Sequence, residues 1–221
     1  MSTPVIDIKI ASDVVCPWCA IGYAHLQQAL ATLKDEVQAD VSWLPFELNP
    51  DIAFEGEELG EHLARKYGST AADSEANRAR ITSLGEKAGF TFNFSPDMRI
   101  FGTFQAHRLL RWVGETHGAE QQTALKQALF SAYFQRHENP NDLVVLQQVA
   151  ESVGLVADDV QAVLASDQYA DDVRQEEAQL QRMGVSSVPT FIINNQYAIT
   201  GGQPTDVFVQ ALRQIAGEMS A

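Results

Sequence analysis

The stretch Ser12-Asp13-Val14-Val15-Cys16-Pro17-Trp18-Cys19 joins two segments of opposite periodicity. Before it, Val5, Ile6, Ile8 and Ile10 alternate with polar residues, the period-two pattern of a strand. After it, Cys19, Tyr23, Leu26, Leu30 and Leu33 recur every three or four residues and so share one face of a helix. Pro17 suits the first helical turn, where its missing N–H would have had no partner anyway. Lys34 to Asp40 end that helix, and Val41-Ser42-Trp43-Leu44-Pro45-Phe46-Glu47-Leu48 reads as a second strand. The chain therefore opens β-α-β, with Cys16 at the join of strand and helix.

The other end mirrors this economy. Val188-Pro189-Thr190-Phe191-Ile192-Ile193 is rich in strand formers, Asn194-Asn195 is a turn pair, and Tyr197-Ala198-Ile199-Thr200 is the returning strand of a hairpin. Gly201-Gly202-Gln203-Pro204 leads into a closing helix over 205–216, with Val207, Phe208, Leu212 and Ile215 facing inward. Between the two ends the signals are helical, over 58–67, 72–88, 103–117, 122–136, 142–153, 158–165 and 168–183. Gly68, Gly89, Gly118, Pro140 and Gly154 punctuate them. Leu125, Leu129, Ala132 and Tyr133 form one apolar face, while 90–98, with Phe92, Phe94 and Pro96, reads as an extended link. Trp43, Trp112, Phe191 and Phe208 are expected in the core, and Asp171-Asp172 and Glu176-Glu177 on solvated helix faces. The expected fold is α/β, in three segments: 1–48 and 185–221 form one domain, and 49–184 is an all-helical insertion.

With 221 residues, a chain of this size buries roughly 70% of its unfolded surface and needs no disulfide or metal staple. Fifteen Lys and Arg against 29 Asp and Glu give a net charge of −14. That balance disfavours general nucleic-acid binding and adsorption to anionic membranes, both of which rest on Lys and Arg. No basic segment precedes a 7–15-residue apolar run at the start, and no run of 18 apolar residues occurs. Cytoplasm is the expected compartment.

Both cysteines lie in Cys16-Pro17-Trp18-Cys19. Their loop is too short to remove much chain entropy, so a structural disulfide is the weaker reading. Residues i and i+3 share a helical face, which brings the sulfurs together. Cys16 sits where unpaired N–H groups and the helix dipole favour negative charge, so the nucleophilic thiolate is expected there. Cys19, one turn inside, is placed to resolve a mixed disulfide. A zinc site would need further ligands. There is no third cysteine, and His25, His62, His107, His117 and His137 lack the H-x₃₋₅-H spacing. No metal and no cofactor beyond a redox-active disulfide is expected. Val188-Pro189 leaves two readings open: a trans proline blunting a strand start, or a cis bond turning the Val188 backbone toward the cysteines.

The strand with Ser12-Asp13-Val14-Val15-Cys16-Pro17-Trp18-Cys19, the long helical stretch, Gly184-Val185-Ser186-Ser187-Val188-Pro189-Thr190-Phe191 and Ile199-Thr200-Gly201-Gly202-Gln203-Pro204 together resemble the DsbA superfamily of thioredoxin-fold proteins. The similarity, closest to the FrnE-like branch, runs along nearly the whole chain. It implies a thioredoxin fold interrupted by a large helical insertion, and thiol–disulfide oxidoreductase activity. It also implies Cys16 as attacking thiol, Cys19 as resolving thiol and a cis Val188-Pro189, with substrate against Pro17, Trp18, Val188 and Pro189.

Three departures from the family pattern stand out. Ile10 occupies the place of a buried acid, so Asp13, another acid or water takes its proton-transfer role; Asp13 itself reads first as an acid at the helix start. Trp18 stands where the DsbA pattern has His, which argues against strong oxidant behaviour. In Thr103-Phe104-Gln105-Ala106-His107-Arg108, similar to an N-T-x-x-A-H-R segment of the branch, Gly102 replaces Asn and its polar contacts. His107 and Arg108 read either as anchors for an anionic ligand or as one packed histidine and one solvated arginine.

The expected partners are thiol or disulfide substrates, protein or small, with glutathione among them, and neither nucleic acid nor membrane. The neighbouring 2-hydroxychromene-2-carboxylate isomerases and kappa-class glutathione transferases carry serine at the Cys16 position. A glutathione-dependent isomerase or transferase is therefore the alternative enzyme class, and a thiol-sensing or holdase module the non-catalytic one.

Overall fold

A computed structural model describes residues 3–219; the first two and last two residues, the outer ends of the expected 1–48 and 185–221 segments, lie outside the described residues. In chain order the elements are β1 (Val5–Ser12), α1 (Pro17–Thr32), β2 (Gln38–Pro45), β3 (Glu57–Glu58), α2 (Leu59–Tyr67), α3 (Ala71–Ala88), β4 (Arg99–Ile100), α4 (Phe104–Thr116), α5 (Gly118–Arg136), α6 (Leu143–Ser152), α7 (Ala157–Leu164), α8 (Ala170–Arg182), β5 (Thr190–Ile193), β6 (Tyr197–Thr200) and α9 (Thr205–Met219). The main sheet runs β2-β1-β5-β6, with β1 parallel to β2 and antiparallel to β5. This is the thioredoxin-type arrangement, with α2 to α8 between β2 and β5.

The β2 strand lies three residues earlier than its apolar pattern suggests. Pairing runs from Val5 opposite Gln38 to Ser12 opposite Pro45, so β2 ends where β1 ends. Leu48, expected in the strand, instead donates its N–H to the Asp13 carboxylate at 2.7 Å. The small β3–β4 ladder was not legible either, because two-residue strands carry no periodicity. At the far end Asn194 and Asn195 both take positive φ, 50° and 53°, the conformation that matches hairpin twist. Gly118 turns the chain between α4 and α5 at φ 86°, and α5 begins there, four residues before its apolar periodicity does.

One face of the sheet, through Ile6, Ile8, Ile10 and Phe191, packs on α1 and α9 in the main core; Phe191 meets Phe208 edge-on at 4.7 Å. The other face, through Ala11 and Ile192, meets Leu180 of α8. Trp43 and Trp112 are buried, as expected. Glu176 and Glu177 are not on a solvated face: Glu176 pairs with Arg111 at 2.8 Å, and Glu177 accepts the Glu47 N–H at 3.1 Å. Glu176 thus ties α8 to α4, and Glu177 ties it to the chain just past β2.

The outer edge of β2 is closed by a side chain. Gln122 of α5 accepts the Trp43 N–H at 2.9 Å and donates to the Trp43 carbonyl at 3.2 Å, as a neighbouring strand would. Trp43 Nε1 donates to Thr123 Oγ1 at 2.9 Å.

The start of α1 is buried nearly all round, Cys19 to Tyr23 included, because the loop after β6 also lies on it. A Cβ on Gly22 would stand 3.2 Å from Gly202 Cα, Phe191 Cζ and Pro189 Cγ. Backbone on one side and a ring on another cannot withdraw freely. Gly22→Ala is therefore expected to lower stability by about 1–3 kcal/mol through overpacking. Urea unfolding would show this as a lower midpoint at unchanged slope; an unchanged midpoint would disprove the close approach.

Candidate active site

Cys16 is the N-cap of α1, with Pro17 as first helical residue, and its side chain makes no capping bond. The turn before it is closed by Cys16 N–H to the Asp13 carbonyl at 3.3 Å. Cys16 is 4% exposed, and Cys19, one turn inside, 0%; both are free thiols. The Val188-Pro189 peptide is cis, and the Cys16 thiol reaches the Val188 carbonyl at 3.7 Å. The Pro189 carbonyl accepts the Gly201 N–H at 2.8 Å, which fastens this strand start to the Gly201-Gly202 loop. Trp18 is half-buried; a Cβ on Gly202 would crowd its ring at 3.3 Å, and the Arg80 guanidinium lies over that ring at 5.4 Å. Cys16, Cys19, Pro17, Trp18, Val188 and Pro189 thus converge on one place.

The two thiols titrate as one unit. A hydrogen bond to Cys19, then burial and the Cys19 charge, hold the Cys16 proton well above the usual thiol range. For Cys19, burial acts upward but is outweighed by hydrogen bonds from Cys16 and Ser12 and by the charge of Lys126, leaving it lowered. The helix start favours charge at Cys16, while the donors buried around Cys19 favour it at the inner sulfur. Ser12 Oγ has no partner of its own in the dithiol and lies where it can donate to a Cys19 thiolate.

Asp13 is not a solvated acid at the helix start. It is buried, accepts the Leu48 N–H, and lies 3.5 Å from His107 Nε2. That distance is too long for a good hydrogen bond, and among the described residues Asp13 Oδ1 and His107 Nε2 have no hydrogen-bond partner. Burial alone would raise the carboxyl; His107, the Leu48 N–H and Lys126 outweigh it and hold it below its usual value.

His107 and Arg108, adjacent on α4, have separate fates. His107 packs inward against Asp13. Arg108 is neither solvated nor free for a ligand: it donates to the carbonyls of Val163 at 3.1 Å, Gln168 at 3.0 Å and Ser166. Its guanidinium thus fastens the link from α7 to α8, and it also donates to the Gln105 side chain at 2.5 Å. At Gly102, the polar contact expected of Asn comes from Asn141, whose side chain accepts the Gln105 N–H at 3.1 Å.

Sequence reasoning missed Lys126. It is 0% exposed, reaches the Ser12 carbonyl at 3.4 Å and lies over the rings of Trp43 and Phe130 at 5.3 and 5.2 Å. Burial pulls its amine down to about 8, against the charges of Cys19, Asp13 and Cys16, which pull upward. Its signal is a second stripe on α5, Gln122, Lys126, Phe130 and Tyr133, hidden because two members are polar.

Asp13→Asn would remove the buried carboxylate that faces His107 and Lys126, and a cost of about 3–5 kcal/mol is expected at neutral pH. The sign with pH follows from the lowered carboxyl. Its stabilisation is complete above the usual value of 3.8 and lost as pH falls through the lower folded value. The gap between wild type and Asp13→Asn should accordingly narrow as pH falls below about 4, toward the lower folded value under which the wild-type carboxyl is neutral too. Unfolding curves from pH 7 down to 3 would measure it, and a constant gap would refute the buried carboxylate.

Comparison with known proteins places this geometry. Residues 7–213 match the DSBA-like thioredoxin domain. YwbO of Bacillus subtilis is 29% identical over 211 residues, 94% of this chain and 96% of that one. A protein described as a probable DsbA oxidoreductase of Streptomyces coelicolor is 33% identical with a TM-score of 0.87, covering 96% of this chain and 91% of that chain. The cytosolic disulfide reductase DsbM of Pseudomonas aeruginosa, in a structure with GSH, shares the fold at 14% identity and a TM-score of 0.62, over 95% of this chain and 98% of that one. The chain belongs to the DSBA-like thioredoxin domain family, whose oxidoreductases share its fold.

Proposed function

We propose that this protein is a thiol–disulfide oxidoreductase of the FrnE-like type that works through Cys16 and Cys19. The observation that carries this reading is the placement of two free thiols, one at a helix start beside the Val188 carbonyl and one wholly buried a turn inside. The outer sulfur meets substrate and the inner one meets only the outer.

In the reductive direction the reactive form of the pair carries its proton on Cys19 and its charge on Cys16. The Cys16 thiolate then attacks a sulfur of the substrate disulfide, and one substrate thiolate leaves. The mixed disulfide is resolved when Cys19, giving up its proton, attacks Cys16 Sγ. The second substrate thiol is released, and the enzyme holds Cys16–Cys19 as a disulfide. Oxidation of a substrate dithiol is the reverse. The potential of the compartment sets the direction, and the cytoplasm favours reduction.

The backbone of Val188 supports an extended substrate beside Cys16, and half-buried Trp18 offers an apolar wall. Glutathione fits as the thiol partner, a reading supported by the DsbM structure with GSH.

Cys19→Ala should accumulate a mixed disulfide on Cys16, while Cys16→Ser should form none and lose insulin reduction. Intact-mass analysis after incubation with oxidised glutathione and with lysate reads both. Turnover of a hydroxychromene or an aryl halide by Cys19→Ala, with no trapped disulfide, would instead identify a glutathione-dependent isomerase or transferase.

A further inference from the structure

Lys126 lies on α5, far from the cysteines in sequence, and its ammonium reaches the Ser12 carbonyl in the segment that leads into Cys16. An ammonium has three N–H donors to satisfy. This one has a single bond, at 3.4 Å, to the Ser12 carbonyl, and two aromatic faces. Its buried surroundings can be named element by element. The β1–α1 connection contributes Asp13 and Cys16, α1 contributes Cys19, α4 contributes His107 and Arg111, and β2 contributes Trp43 with no charged group. His107, Arg111 and Lys126 also border a small cavity of about 10 Å³, closed by Trp43, Leu44, Pro45 and Leu110. Asp13 divides its carboxylate between the Leu48 N–H and the side facing His107, so it does not belong to Lys126 alone.

We propose that Lys126 is the counter-ion of the Cys16–Cys19 pair, its buried ammonium stabilising the thiolate formed when the disulfide is reduced. The inference rests on the thiol–disulfide reading and adds to it a positioning residue supplied by the helical part of the chain. Breaking the Cys16–Cys19 bond takes up two electrons and one proton, leaving one thiol and one thiolate. Two molecules of a thiol donor such as glutathione supply the electrons, become the donor disulfide and release two protons. One of these protons stays on the enzyme pair and the other goes to solvent. The thiolate adds a negative charge beside Lys126 that the disulfide form lacks. Reduction therefore strengthens the attraction between α5 and the start of α1, and oxidation weakens it.

Two measurements test this, and neither needs a substrate. In the wild-type protein, NMR of the Lys126 ε-methylene should show the amine titrating at higher pH in the reduced form than in the oxidised form. Equal titration in both forms would overturn the proposal without any variant. In Lys126→Met, thiolate absorbance at 240 nm should begin at least one pH unit higher. The equilibrium constant with glutathione should shift about tenfold toward the disulfide, or about 30 mV toward more negative potential. Lys126→Arg should recover most of that shift, which a merely structural role would not do. Unchanged absorbance onset and equilibrium constant in Lys126→Met would overturn the proposal. An empty Cys19→Ala trap would sink the oxidoreductase reading yet leave the Lys126 coupling measurable, so the two fail separately.

Discussion

The closing of the outer edge of β2 by Gln122 is the contact on which the site depends. A parallel edge strand has backbone groups that need partners, and here an amide side chain from a helix supplies them to Trp43 on both donor and acceptor sides. Once Gln122 is fixed there, the next turn of α5 must carry Lys126 beneath the end of β1, and Phe130 against Trp43. Helix α4, packed on α5 and β2, then brings His107 to Asp13. The helical part of the chain thus contributes to the electrostatics around the cysteines, and does more than cover them.

A second close approach acts on the opposite side of α1. Gly22 and Gly202 meet without side chains, which lets the loop after β6 lie on the helix that begins at Cys16. The Pro189 carbonyl is bound to that same loop through the Gly201 N–H. The Val188 carbonyl beside Cys16 is therefore held from two directions, by the sheet through β5 and by the glycine loop. A rigid acceptor next to the reactive sulfur orders a substrate backbone at lower entropic cost than a mobile one would.

The elements around Cys16-Pro17-Trp18-Cys19 were legible in the sequence because each carries a period: two in β1, three to four in α1, two again in the β5–β6 hairpin. The registers were less so. Nothing in Val41 to Leu48 shows that pairing with β1 stops at Pro45 and gives the Leu48 N–H to a carboxylate. The outer residues of the site follow the same division. Cys16 and Cys19 announce themselves by spacing, whereas Lys126, Ser12 and Asp13 act through burial, which depends on contacts between residues far apart in sequence. Arg108 shows the reverse error: a charged residue next to His107 suggested a ligand, but the carbonyls of Val163, Ser166 and Gln168 and the Gln105 side chain claim its donors.

Stability alone does not account for the buried ions. Taking an ammonium and a carboxylate out of water costs several kcal/mol each, and apolar residues of the same volume commonly hold a core as well or better. Phe130, Trp43 and Leu110 already surround Lys126, so an apolar side chain there would extend an existing cluster. The lowered carboxyl shows that its surroundings meet its cost, whereas the lowered amine shows that burial still outweighs the charges around Lys126. What an apolar residue cannot do is respond to a change of charge at a sulfur. A buried cation gives the disulfide and dithiol forms different energies, and the difference grows as the surroundings exclude water. At this depth, beside Cys19 at 0% exposure, the same residue would be a liability in a protein that only folds and an asset in one that exchanges disulfides.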